Sequence, residues 1–181
     1  MTSWPRVASL VFALLVLSPP VWASPAPGAQ DTSALRFHGF RAGATLDELD
    51  AVVRAAGGRL RCERARRDRR VSECRAAVHD SAIGGAVKVW ASAVDSVASV
   101  ITLAATVDTA ALDRWRQELE TRYGRVGARA QGSQWMMQWV RRGRMLRLTW
   151  RIERGERTAS VSLVDGRVLD AWGAQRHGAS P

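Results

Sequence analysis

The feature that most restricts the fold of this chain is a regular alternation of apolar and polar residues between positions 135 and 163. Alternating residues point to opposite faces of a strand, and Arg142-Gly143 and Arg154-Gly155 supply two turns. One face collects Trp135, Met137, Trp139, Leu146, Leu148, Trp150, Ala159, Val161 and Leu163. The other face carries Gln138, Arg147, Thr149, Ser160 and Ser162. We therefore predict a meander of three antiparallel strands with one buried and one exposed face.

Two upstream segments have helical periodicity and defined ends. The first begins where Thr45 and Glu48 have the spacing of a capping box, and it ends at Gly57-Gly58. Its apolar residues are Leu46, Leu49, Val52 and Val53. The second begins at Asp108-Thr109 and ends at Gly124, with an apolar stripe formed by Leu112, Trp115, Leu119 and Tyr123. Both segments are predicted to be helices that pack against a sheet.

The two cysteines, Cys62 and Cys74, are predicted to staple a β-hairpin. The sequence around them is nearly symmetric about Asp68, so a hairpin with its tip at Asp68 places Cys62 opposite Cys74. A redox-active pair is the alternative, but such thiols usually occur as CxxC or beside a helix N-terminus. Two cysteines do not complete a zinc site, and we predict neither a metal site nor a cofactor.

Together these patterns predict an α+β fold made of two helix-plus-antiparallel-sheet halves that share one continuous sheet. Residues 35–107 form the first half, a helix and four strands, in which strands over 86–93 and 97–104 follow the stapled hairpin. Residues 108–173 form the second half, a helix and three strands, closed by a short helix over 168–172. The absence of a Gly-rich phosphate loop and of alternating helices and strands excludes a parallel nucleotide-binding sheet.

The first 23 residues have the pattern of a signal peptide. Arg6 precedes an apolar run from Val7 to Leu17, and Val21-Trp22-Ala23 places small residues at the positions that a signal peptidase reads. The run is shorter than the ~20 residues that span a membrane, and a buried N-terminal helix is the alternative. We predict cleavage after Ala23 and export to the periplasm or medium, where a disulfide is stable. Residues 24–34 are predicted to be a mobile arm, and residues 174–181 a loose tail.

The stretch from Phe37 to Leu49, FHGFRAGATLDEL, together with Gly57 and the Cys62–Cys74 pair, resembles a known envelope pattern. It is similar to the helix-on-sheet repeat of β-lactamase inhibitor protein and of small outer-membrane-assembly lipoproteins. The chain differs from them in having no lipidated cysteine and, in its second half, no cysteine pair and no Gly-x-Thr helix opening. The resemblance implies an α+β fold and a non-enzymatic binding role, but it names no target and no binding residue.

Arginine supplies nearly all the positive charge of the chain. Lys88 is the single lysine among 27 basic residues, against 17 acidic ones, and the formal net charge is +10. Arginines cluster at two predicted hairpin tips. These are Arg66, Arg67, Arg69 and Arg70 at the stapled hairpin, and Arg141, Arg142 and Arg144 at the first turn of the meander. Because arginine pairs bidentately with phosphates and carboxylates, both tips are candidate binding sites for an anionic envelope lipid, polymer or protein. A solvated surface that reflects codon usage is the alternative, and export disfavours nucleic acid.

The tryptophans divide into two groups. Trp135, Trp139 and Trp150 lie on the apolar face of the meander, so we predict core packing rather than the stacking of sugars or peptides. Trp90 instead shares its face with Lys88, opposite a row of small apolar residues. It is predicted to be an exposed anchor on an open sheet, where a partner protein would bind.

No motif in the sequence indicates catalysis, because GxSxG, HExxH and Walker patterns do not occur. A His38/His79 site with Asp80 or Asp47 could act as a general base or hold a metal only if the fold brought these residues together. The sequence therefore predicts an exported, non-catalytic binding protein that uses the open sheet face around Trp90 and the arginine-rich tips. An exported hydrolase without a recognisable motif is the alternative.

Overall fold

The computed structural model describes residues 34–81 and 83–178 of the 181-residue chain. The predicted signal peptide lies outside these residues, and so does the predicted mobile arm except for its last residue. That residue, Ala34, is buried together with Leu35.

The first half is a helix followed by four antiparallel strands, as predicted. A ribbon of β1 (Arg36–Phe37) and β2 (Phe40–Arg41) leads into α1 (Leu46–Ala55). The strands are β3 (Arg61–Arg64), β4 (Val71–Asp80), β5 (Gly85–Val94) and β6 (Val97–Thr106). The predicted capping box is present: Glu48 N–H donates to Thr45 Oγ1 at 3.2 Å, and Thr45 N–H donates to Glu48 Oε2 at 2.8 Å. The hydrogen bond from the Thr45 backbone lowers the pKa of Glu48.

The second half repeats this order, with α2 (Thr109–Tyr123) before the strands. These are β7 (Arg129–Gln131), β8 (Gln134–Arg141), β9 (Arg144–Glu153) and β10 (Glu156–Asp165). The short strand β7 adds a fourth strand to the three predicted, because it pairs with the beginning of β8. α3 (Gly166–Gly178) is longer than predicted and continues through residues 174–178 of the predicted tail, since Ala174 and Gln175 favour helix.

Eight of the described strands form one antiparallel sheet in the order β3-β4-β5-β6-β10-β9-β8-β7. The two halves join where β6 pairs with β10, which confirms the continuous sheet. The meander has the predicted register, with Met137 opposite Leu148 and Leu148 opposite Val161. Cys62 lies opposite Cys74 and is joined to it by a disulfide, so the predicted staple is also confirmed.

The core lies between one face of this sheet and the helices α1 and α2. Trp115 of α2 is buried, its ring packs edge-on against Phe37, and its Nε1 donates to the carbonyl of Ile83 at 2.9 Å. Strand residues such as Leu103 and Leu148 complete this core from the sheet side. The opposite face of the sheet is here termed the open face.

Candidate binding surface

Trp90 lies in a row of side chains that crosses six strands on the open face. Neighbouring strands pair in register, from β4 through β5, β6, β10 and β9 to β8. The row consists of Arg75, Trp90, Thr102, Ser162, Arg147 and Gln138. Trp90 is 41% exposed, as its predicted position on the open face requires. An aromatic anchor between two arginines is therefore displayed on a continuous sheet, not on a loop.

Hydrogen bonds between side chains hold the middle of the open face. Thr102 Oγ1 and Ser162 Oγ are 3.1 Å apart across the junction of the two halves, and Thr149 Oγ1 and Ser160 Oγ are 2.7 Å apart. Arg147 Nη2 donates to Gln138 Oε1 at 3.0 Å. These contacts fix polar side chains in the middle of the open face, and Thr102 among them is the cross-strand neighbour of Trp90.

A hollow of about 550 Å³ adjoins Trp90. The small side chains of Ala77, Ala86 and Ala104 leave this space empty. The larger side chains of Trp90 and Lys88 line its sides. The exposure of Trp90 is predictable from the sequence, whereas the hollow was not predicted. Small residues at open-face positions were a signal in the sequence. They become one hollow only because β4, β5 and β6 pair side by side.

Basic side chains outnumber acidic ones on the described part of the open face. By strand register, the face carries Arg61, Arg75, Lys88, Arg129, Arg147 and Arg151, against the acids Glu63, Glu73 and Glu156. Glu73 is engaged, because Ser92 Oγ donates to its Oε2 at 2.7 Å. The open face thus favours an acidic partner.

Helix α3 covers one end of the open face. It runs close to β5, β6 and β9 at the end of the sheet where the two arginine-rich tips lie. Val94 faces the open side by its register but is buried there. Trp172 Nε1 donates to Asp68 Oδ2 at 2.9 Å and so joins α3 to the tip of the stapled hairpin. The accessible part of the open face is therefore the half around Trp90.

At the stapled hairpin, Arg66, Arg67 and Arg69 are exposed, as predicted. Arg70 is engaged within the fold: its Nε donates to Asp95 Oδ1 at 3.1 Å, in the turn between β5 and β6. This hydrogen bond lowers the pKa of Asp95 and raises that of Arg70. Of the four arginines predicted here, Arg70 anchors the tip, and the other three form its outer surface.

At the other tip, the prediction that Arg144 is a binding residue is wrong. Arg144 is only 6% exposed, and its Nε donates to Oδ2 of the fully buried Asp165 at 2.9 Å. Asp165 also accepts a hydrogen bond from Arg167 Nη2 at 2.9 Å. Burial raises the pKa of Asp165, but the hydrogen bonds from Arg167 and Arg144 outweigh it and hold this pKa at about 2. Gly43 is required here, because a Cβ at its position would lie 2.5 Å from Asp165 Oδ2.

The remaining arginines of this tip differ in their contacts. Arg142 is exposed in the turn, where its φ of 46° is that of a left-handed residue. Arg141 Nη2 donates to the carbonyl of Tyr123 at 2.9 Å, and its guanidinium lies 5.4 Å from the centre of the Tyr123 ring. Arg141 therefore holds α2 against the sheet, although its side chain remains exposed.

The tryptophans of the meander only partly meet the prediction of core packing. Trp139 is buried and donates from Nε1 to the carbonyl of Gly124 at 2.7 Å, whereas Trp150 is half-buried. Trp135 is 49% exposed, so the prediction is wrong for this residue. Trp135 lies on the helix side of the sheet, at the beginning of β8. Only the three-residue strand β7 separates it from the edge of the sheet.

The structure pairs His38 with an acid on α2. His38 Nε2 lies 3.1 Å from Glu118 Oε2, while His79 is exposed at the end of β4 on the open face. Within residues 34–81 and 83–178, no group of three or more His, Cys, Asp or Glu side chains could hold a metal ion. Among the same residues, no helix is long and apolar enough to cross a membrane.

Comparison of the chain with known protein families, with curated proteins and with solved structures gave no match.

Proposed function

We propose that this is an exported, non-catalytic binding protein whose open face around Trp90 binds an acidic protein partner or another anionic component of the envelope. The observation that carries the proposal is the exposure of Trp90 beside a hollow, with Arg75 and Lys88 next to it. Tryptophan and arginine are the residues that most often dominate the binding energy of protein interfaces.

The charge of the surface supports an anionic partner. The chain has a formal net charge of +10, Lys88 lines the hollow, and Arg75 and Arg147 lie in the Trp90 row. Arg66, Arg67, Arg69 and Arg142 are exposed at the end of the same sheet and provide a second contact for anionic groups. A partner that spans both regions would bind through an apolar centre and a charged rim.

The resemblance to the repeat of β-lactamase inhibitor protein supports the same class of function. It implies two helix-on-sheet units and binding without catalysis, although fold analogy alone does not name a target. The hydrolase alternative would have to depend on groups such as His38 and Glu118, which form a His–acid pair at the β1–β2 turn.

Trp90→Ala is expected to weaken binding of the envelope partner at least ten-fold, since truncation of a central aromatic anchor removes about 2 kcal/mol or more. Lys88→Glu is also expected to weaken binding of the partner, and the loss should be larger at low salt than at high salt. The measurement is recovery of the partner from envelope extracts on immobilised mature protein. Arg114→Glu is the matched control, because Arg114 is exposed on α2, on the other side of the sheet. Equal losses in all three variants would contradict the proposal.

Export is part of the proposal, and it predicts the covalent form of the mature chain. Mass spectrometry of protein recovered without reductant should show a chain that begins at Ser24 and is two hydrogens lighter than its reduced form. An intact Met1 or free thiols would contradict export.

A further inference from the structure

A cleft of about 310 Å³ opens on the helix side of the sheet, away from the open face. Its apolar walls are Trp135, Trp150 and Ile152, and its polar groups are Asp113, Arg116 and Arg157. Trp135 and Trp150 are cross-strand neighbours, and Ile152 pairs in register with Arg157. Trp135 is 49% exposed and Ile152 is 62% exposed, so both apolar side chains are accessible to a ligand.

Both arginines of this cleft contact neighbouring side chains, and one of them has an unused donor. The guanidinium of Arg116 lies 5.6 Å from the centre of the Trp150 ring, and its Nη1 is 3.3 Å from Asp113 Oδ1. Arg157 Nη1 donates to Thr109 Oγ1 at 2.8 Å. Nε of Arg116 is buried, and among the described residues it has no hydrogen-bond partner. A buried donor without an acceptor costs free energy, which an anion entering the cleft would recover as the guanidinium turned toward it.

We infer that this cleft binds a small molecule that carries one carboxylate on a ring with an apolar face. The carboxylate accepts hydrogen bonds from Arg116 and Arg157, and the ring lies on the exposed indole of Trp135. Two arginines and one aspartate leave a net charge of +1 at the site, which matches a carboxylate rather than a doubly charged phosphate. The volume is at the lower limit of ligand sites, so it suits a single ring.

The site is independent of the proposed function, because it faces away from Trp90 and Lys88. An aromatic acid and a sugar acid both present the required ring and carboxylate, since the apolar face of a sugar ring also stacks on tryptophan. The ligand chemistry is the same in the two cases, and the probes chosen below separate them.

The test is a titration of the ¹⁵N-labelled full chain, followed through its tryptophan indole N–H signals. Phenylacetate and glucuronate at millimolar concentrations represent the aromatic and the sugar acid, with acetate and phenethylamine as controls for the carboxylate and the ring. We expect at least one of the two acids to shift the signals of Trp135 and Trp150, and acetate and phenethylamine to bind about ten-fold more weakly or not at all.

Three variants locate the site. Trp135→Ala, Arg116→Gln and Arg157→Gln should each weaken binding of the acid about ten-fold, whereas Arg114→Gln, on the exposed side of the same helix, should leave it unchanged. The melting temperature of each variant serves as the check on folding, and the two arginine variants test the carboxylate contact separately. Binding of phenethylamine as tight as that of the acids, unchanged binding in both arginine variants, or no shift with either acid would each overturn the inference.

Discussion

Asp165→Asn is expected to lower the free energy of unfolding by about 3–5 kcal/mol, the usual cost of removing one partner from a buried ion pair. The reason is that Asp165 is fully buried and accepts hydrogen bonds from both Arg144 and Arg167. In the variant, the buried guanidinium of Arg144 no longer faces a charged carboxylate at position 165. Chemical denaturation of the variant and of the wild-type protein measures the difference.

Asp95→Asn is the matched control, since it removes the same charge from the Arg70–Asp95 pair at the surface. Exposed ion pairs contribute little to stability, so we expect a much smaller loss in this variant. Similar losses in the two variants would contradict a structural role for the buried pair.

The ionisation of Asp165 determines how the stability difference between the wild-type protein and Asp165→Asn depends on pH. The folded pKa of Asp165, about 2, lies below its ordinary value of 3.8, so the charged form stabilises the fold. This contribution is complete above pH 3.8 and disappears as the pH falls through about 2. The difference in unfolding free energy between the wild-type protein and Asp165→Asn should therefore shrink across that interval. A difference that stays constant down to pH 2 would show that Asp165 is not ionised in the fold.

Reduction of the Cys62–Cys74 disulfide is expected to lower the free energy of unfolding by about 2–3 kcal/mol, because it opens a short closed loop in the unfolded chain. The two cysteines are separated by 12 residues in sequence. β3 is an edge strand whose residues are all exposed, so it depends on the staple and on its pairing with β4. Denaturation with and without reductant gives the stability change.

Hydrogen exchange identifies where this loss occurs. The amides of β3 should exchange faster after reduction, while those of β9 and β10, at a distance from the staple in the sheet, should change little. An unchanged denaturation midpoint, with unchanged exchange in β3, would contradict the role of the disulfide as a staple.

Local patterns in the sequence were enough to predict most of the fold. The alternation around Met137 and Leu148 fixed the register of the meander, since a shift of one residue would turn every apolar side chain outward. The capping residues Thr45 and Asp108 marked the two helix starts, and the symmetry about Asp68 placed the cysteines opposite each other. Each of these signals depends on neighbours within one helix or hairpin.

The misjudged residues are those whose surroundings come from distant parts of the chain. Arg144 stands in a run of arginines at a turn. The predicted pairing of β9 with β10 puts it opposite Asp165, but the burial of this pair depends on the close approach of Gly43, from a distant part of the chain. Alternation assigns Trp135 to the helix side of the sheet, but it does not say how far α2 covers that side. The hollow beside Trp90 depends on a register shift between Ser92 and Ala93, which sets Ala104 opposite Lys88, and on the neighbouring strand β4, which supplies Ala77.

The most direct measurement of the proposed binding face is photo-crosslinking in the native envelope. A photo-reactive residue in place of Ala104, in the hollow beside Trp90, is compared with one in place of Arg114, on the exposed side of α2. We expect a specific crosslink from position 104 to an acidic partner, which is lost when Trp90 is changed to Ala, and no such product from position 114. Equal crosslinking from both positions, or none from position 104, would contradict it.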